Sequence, residues 1–145
     1  MTLAWLLWFT TLLPQPIADQ TCLAATVYLE ARSESSIGQT AVAEVAMRRR
    51  ESGHWGRSVC DVVQAHGQFA LSMTNKHFEF RNPKAWREAW KIAGHTMATW
   101  TLPRADRKVV VPHADHFVVA NSVSPDWITG PPLATIGAHS FYRVN

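Results

Sequence analysis

Two glutamates and an arginine close an otherwise apolar run, Cys22-Leu-Ala-Ala-Thr-Val-Tyr28-Leu-Glu30-Ala-Arg32-Ser-Glu34. Leu23, Val27 and Ala31 recur at the spacing of one helix face, and Glu30 stands beside that face, three residues after Val27. An acid so placed is partly desolvated. Desolvation disfavours the charged form and raises a carboxyl pKa, which lets a glutamate stay protonated near neutral pH and act as a general acid. Glu30 is therefore the first catalytic candidate. The bland alternative is a polar helix end with Glu30 and Glu34 both solvated, the commoner fate of charged side chains.

Other residues able to do chemistry lie downstream. His113-Ala-Asp115-His116 puts two histidines and an aspartate within a short stretch, but no third histidine follows at ligand spacing and no His-Glu-x-x-His is present. No metal and no cofactor are expected. His139 and Tyr142 sit in an extended terminal segment as candidate cleft residues, with a satisfied structural histidine as the alternative for His139. Gln68 and Phe69 follow Gly67 in a loop, where a surface glutamine and a core phenylalanine are the plain reading.

The elements that must position these groups are mostly helical. The first helix carries Glu30. Ser35 to Gln39 reads as a turn and Thr40 to Arg50 as a second helix, with Ala41, Val42, Val45 and Ala46 inward and Glu44 facing out or paired with an arginine. Ser58 caps a short helix through Gln64. Asn82-Pro83 opens a long helix whose Trp86, Trp90, Ala93, Met97 and Trp100 mark one packed face. Val109 to Pro112 and Phe117 to Ala120 read as short extended pieces around His113–His116. Ser124 to Trp127 is a turn carrying an aromatic, and Thr135 to Arg143 a final extended segment.

Composition bounds the answer. A chain of 145 residues with 47% apolar content suffices for one domain with a real core. The net charge of +3 is mild and suits an anionic polymer. Arg48-Arg49-Arg50 is a lone cluster, and no basic stripe interleaved with aromatics appears, so nucleic acid is not the expected partner. Seven tryptophans lean toward a carbohydrate ligand as well as a core.

Leu3 to Leu13 is apolar, too short to span a bilayer and of the length of a secretory hydrophobic region, with Ala18 where cleavage could occur. Residues 1–20 are accordingly read as a signal-like or export-anchor segment, or else as a lead helix packed on the domain, and residues 21–145 as the catalytic domain. Transient membrane association through residues 3–13 fits the same run. Cys22 and Cys60, the only cysteines, invite pairing in an exported chain at a gain of roughly 4 kcal/mol; in a reducing compartment both would be small buried apolar residues.

The opening run, continued by Ile37-Gly-Gln-Thr-Ala-Val-Ala-Glu-Val-Ala-Met-Arg-Arg, resembles the SleB-type cell-wall hydrolase family. Val59-Cys-Asp-Val-Val, Gly67-Gln-Phe, Ala85-Trp, His116-Phe, Pro125-Asp-Trp and Ile136-Gly-Ala-His-Ser-Phe-Tyr follow in the family's order. The chain departs from it at Arg48, usually asparagine, and Ser33, usually glycine. The resemblance implies an α+β, mostly helical, lysozyme-like single domain with a small strand region, exported to the periplasm or cell envelope as a monomer. It implies cleavage of peptidoglycan glycan strands, by a lytic transglycosylase with Glu30 as single acid/base, in wall remodelling or phage-type lysis as an endolysin. Glu34, Gln68, Phe69, His116, Phe117, Trp127, His139 and Tyr142 would bind substrate. For a hydrolytic second carboxylate the sequence offers Glu34, Asp61 and Asp115 without choosing. Two rivals stand beside this reading: a metal-dependent amidase or endopeptidase using His113, Asp115, His116 and His139, and a noncatalytic glycan-binding module.

Overall fold

The computed structural model describes residues 1–122 and 124–145. In chain order they form α1 (Leu3–Thr10), α2 (Gln15–Ala31), α3 (Ser36–Ser52), α4 (Val59–Gln64), α5 (Ala70–Met73), α6 (Pro83–Trp100), a 3-10 turn (Arg104–Asp106), β1 (His116–Val119), β2 (Ala134–Ile136) and β3 (His139–Tyr142). The result is the expected α+β, mostly helical domain with a small strand region.

α2 is the central rod. Every residue from Thr21 to Tyr28 is buried, because α1, α3, α4, α5 and α6 all pack against it. A helix surrounded this way must be apolar all round. Pro16 in its first turn fits the place where a missing N–H costs nothing. α3 starts on the Ser35 hydroxyl, which accepts from the Gly38 amide, and stops at left-handed Gly53. α6 begins as read from Asn82-Pro83: the Asn82 side chain accepts from the Ala85 amide. Its tryptophan stripe packs as expected, with Ala93 and Trp100 buried and Trp86, Trp90 and Met97 partly so.

Cys22 and Cys60 are joined, tying α2 to α4 across 38 residues of sequence. Beside the bridge, the Cys60 amide donates to the buried carboxylate of Asp19 at 3.2 Å.

Four expectations need correction. α3 runs from Ser36 to Ser52, longer at both ends than Thr40 to Arg50. Glu44 does not face solvent or pair with an arginine: it is buried, and its carboxylate accepts from the amides of Val110 and Val111 at 2.9–3.3 Å. Those bonds explain why Val109–Val111 is no strand, since its amides are taken by a side chain of α3. The segment after Thr135 is a hairpin, not one extended piece. β2 and β3 are antiparallel neighbours, and the sheet order is β1-β3-β2. Gly137, at φ 57°, makes the turn, and a Cβ there would lie 2.0 Å from the Glu34 carboxylate. Only glycine satisfies both demands.

Glu44→Ala leaves two sheltered amides without an acceptor. Urea unfolding is expected to show a loss of about 3 kcal/mol, the scale of breaking charge-assisted bonds to buried donors.

α1 is docked on the domain. Leu3 and Leu6 enter the core, the Leu3 amide donates to the Phe78 carbonyl at 2.8 Å, and the Phe80 amide donates to the Met1 carbonyl at 3.0 Å. Trp5, Trp8, Phe9 and Leu12 stay exposed. Among the described residues, no helix is long and apolar enough to cross a membrane.

Candidate active site

Glu30 lies in the last turn of α2, its side chain directed toward the start of α5. Phe69 precedes that helix and offers no capping oxygen, so the Glu30 carboxyl takes the role: its Oε1 accepts from the Ala70 amide at 2.5 Å. Burial pushes the Glu30 pKa up, and this outweighs the opposing pull of the Ala70 amide and the Arg49 charge. One oxygen is thus held by the protein while the other can carry a proton.

Arg49 belongs to the Arg48-Arg49-Arg50 cluster and closes the run that begins at Ile37. It is buried, its Nε donates to the Asp115 carbonyl at 2.7 Å and its Nη1 to Gln68 Oε1 at 3.2 Å. Its guanidinium stacks over the rings of Phe69 and Trp55, 4.8 Å from each centroid. Burial lowers its pKa to about 10, which still leaves it charged at neutral pH. The signal was present: Val42, Val45, Ala46 and Arg49 share one inward stripe at helical spacing.

The expected substrate residues fall into two groups. Phe117, Phe141 and His139 share one face of the sheet by their register. Phe117 lies 6.0 Å from Phe69 and 5.3 Å from His139 between ring centroids. Glu34 joins this group: its Oε1 accepts from the Ala138 amide at 3.1 Å and lies 3.7 Å from His139 Nδ1. That nitrogen is buried without a hydrogen-bond partner. Burial holds the His139 pKa below its ordinary value despite Glu34, so the ring is neutral near pH 7. Gln68, through Arg49, borders the same group.

His116, Tyr142 and Trp127 make the second group, on the other face of the sheet. Trp127 lies 4.8 Å from His116 and 5.6 Å from Tyr142, and Trp55, unread in the sequence, closes on His116 at 5.8 Å. Trp55 and Arg49 connect the two groups.

The other acids have different employment. Burial raises Asp115, but bonds from His116 and the amides of Val144 and Asn145 outweigh it and hold the carboxyl below its usual range. Asp61 is exposed in the first turn of α4. His116 and His139 project from opposite sheet faces, and among the described residues no three His, Cys, Asp or Glu side chains converge as a metal would require.

A family model described as Cell Wall Hydrolase matches residues 33–142. Among solved structures, the catalytic domain of the germination-specific lytic transglycosylase SleB from Bacillus anthracis is similar, with a TM-score of 0.68 and 25% identity over 86% of this chain and 93% of that one. The catalytic domain of the Bacillus cereus SleB protein has the same fold, with a TM-score of 0.65 at 23% identity over 86% of this chain and 89% of its own. No curated protein matches the sequence.

Proposed function

We propose that this chain, which belongs to the cell wall hydrolase family, cleaves the glycan strand of peptidoglycan as a lytic transglycosylase with Glu30 as its single acid and base. The observation that carries the reading is a carboxyl with a burial-raised pKa beside an aromatic wall, while the other acids near it are tied to the protein. Glu44 is also raised by burial, but both its oxygens are spent on Val110 and Val111.

In this mechanism the glycan lies along half-buried Phe117, whose ring is backed by Phe69, a core side chain only 1% exposed. Protonated Glu30 gives its proton to the glycosidic oxygen, the bond from that oxygen to the anomeric carbon breaks, and the leaving sugar departs with a hydroxyl. The carboxylate then takes the proton of the 6-hydroxyl of the sugar that bears the cleaved anomeric carbon, as that hydroxyl oxygen attacks its own anomeric carbon. An anhydro ring closes, Glu30 is protonated again, and no water is consumed. A hydrolase would need a second carboxylate across the bond, and the candidates Glu34, Asp61 and Asp115 are engaged or exposed elsewhere. Neutral His139, buried beside Glu34, backs the Phe117 ring at 5.3 Å. Exposed Gln68 contacts a substrate hydroxyl or amide from the Arg49 side. His116, Trp127 and Tyr142 supply a second aromatic surface to the extended polymer.

The place of action is the cell wall, as the family implies. Export through residues 1–20, a monomeric state, and transient membrane contact of the exposed α1 aromatics belong to this reading, as does a role in lysis or wall remodelling. Residues 21–145 carry the site, with α1 and the first turns of α2 packed on them.

The test is mass spectrometry of soluble fragments released from purified peptidoglycan. Anhydro ends are expected. Reducing ends would make the enzyme a hydrolase; cut peptides, or binding without release, would replace the glycosidase with an amidase or a glycan-binding module.

A further inference from the structure

Away from Glu30, a cavity of about 520 Å³ opens between the end of α3, the end of α6, the 3-10 turn and the chain's last residues. Five arginines line it, Arg48, Arg49, Arg104, Arg107 and Arg143, against two acidic side chains, Glu51 and Asp115. Both carboxylates are already engaged. Glu51 pairs with Arg104 at 2.9 Å and Arg107 at 2.8 Å. Asp115 accepts from His116 Nδ1 and from the amides of Val144 and Asn145 at 2.7–2.9 Å.

Arg48 and Arg49 form no ion pair among the described residues. Arg48 donates to the Ala114 carbonyl, and Arg49 to the Asp115 carbonyl and Gln68. Arg143 donates to the main-chain oxygen of Asn145, at 3.3 Å, and pairs with no acidic side chain among the described residues. Sheltered guanidiniums ordinarily have an anionic partner. Here the positive charge is in excess.

A second, independent feature points the same way. Trp100 lines the cavity, is only 6% exposed, and its Nε1 has no hydrogen-bond partner. Arg48 and Arg107 lie over its ring at 5.3 and 4.9 Å from the centroid. A buried N–H without an acceptor is costly and rare. Here it sits beside Arg48, whose guanidinium gives one nitrogen to the Ala114 carbonyl and keeps further donors for an oxyanion, while Arg107 is committed to Glu51 and to the Leu102 and Trp100 carbonyls. His113, on the same lining, holds φ 69°, a strained left-handed conformation of the kind that collects at ligand sites.

We infer that this cavity is an oxyanion subsite, seating a carboxylate or phosphate group of the wall polymer on Trp100 Nε1 and Arg48, with Arg143 at the rim. The inference rests on the wall-polymer reading above. Peptide stems of peptidoglycan end in carboxylates, and phosphate occurs in anionic polymers attached to walls; the two sources share this chemistry. A bound stem would fix the register in which the glycan enters the cleft, because Arg49 and Trp55 border both places.

The test is calorimetric titration of the folded full chain with three probes: a short peptide with a free terminal carboxylate, the same peptide amidated, and inorganic phosphate. The peptide carboxylate or phosphate should bind, identifying the source, and the amidated peptide should not. Trp100→Phe keeps a ring and removes only the orphan donor, so its thermal stability should be retained while binding weakens roughly tenfold. Arg143→Ala, at an exposed position, should also weaken binding. No binding of either anion by the parent, or equal binding by the folded Trp100→Phe variant, overturns the inference. These titrations need no turnover and work equally in Glu30→Gln. Glycan cleavage without anion binding defeats the subsite alone, and anion binding without cleavage defeats the glycosidase alone.

Discussion

Glu30→Gln is expected to lower the rate of peptidoglycan cleavage about a thousandfold, the scale of removing a positioned general acid, while the folded domain persists. The amide still accepts from the Ala70 amide through its oxygen, so the helix start keeps its cap. What is lost is a transferable proton. In the parent, activity should fall on the alkaline side as Glu30 loses that proton, at a pKa displaced above the ordinary 4.5 by burial. The residual activity of the variant should lack this limb. Stability carries the same signature. The folded state binds the Glu30 proton more tightly than the unfolded chain, so the associated stability is full below the unfolded pKa and is lost as pH rises through the folded one. Above that range Glu30→Gln should melt no lower than the parent. Undiminished lysis by the variant would remove Glu30 from the mechanism.

Replacing Cys22 and Cys60 together by alanine, or reducing the bond, should lower stability by about 4 kcal/mol on the chain-entropy estimate for a 38-residue separation. For a domain of this size that is a fall in melting temperature of roughly 10–20 °C. The bridge joins the central helix to α4, a helix of only six residues, and short helices depend on such external fixing. Scanning calorimetry with and without reductant is the measurement. The parent should respond to reductant and the double-alanine variant should not, and an unchanged midpoint in both would mean that packing alone seats α4.

The helices were legible because their signals are local. Asn82-Pro83 and the tryptophan stripe of α6 lie within the element they predict, as do Ser58 before α4 and the apolar face around Val27 and Ala31. Glu30 was legible for the same reason, since its exceptional place is set by neighbours on its own helix. Its partner was not, because Ala70 is forty residues away and offers only a backbone amide. Glu44 shows the limit most clearly. A lone acid on a helix looks like a solvated face until the chain returns 66 residues later to present Val110 and Val111. That same return turned three valines, a strong strand signal, into a segment bonded to a side chain. The division of the aromatic residues between two sheet faces followed from β1–β3 register, which alternating side chains make decisive and which no short motif reveals.

Glu34 gives the cleft a fixed end. Its carboxylate holds the Ala138 amide at the hairpin tip, and Gly137 fits against it with no room for another atom. The turn after the central helix and the tip of the sheet are thereby pinned together, while the opposite end of the sheet is held to α3 by Arg49, whose Nε donates to the Asp115 carbonyl. The small sheet is strapped to the helices at two ends, a preformed wall for the polymer. In amide hydrogen exchange, Ala138 should therefore be among the slowest turn positions.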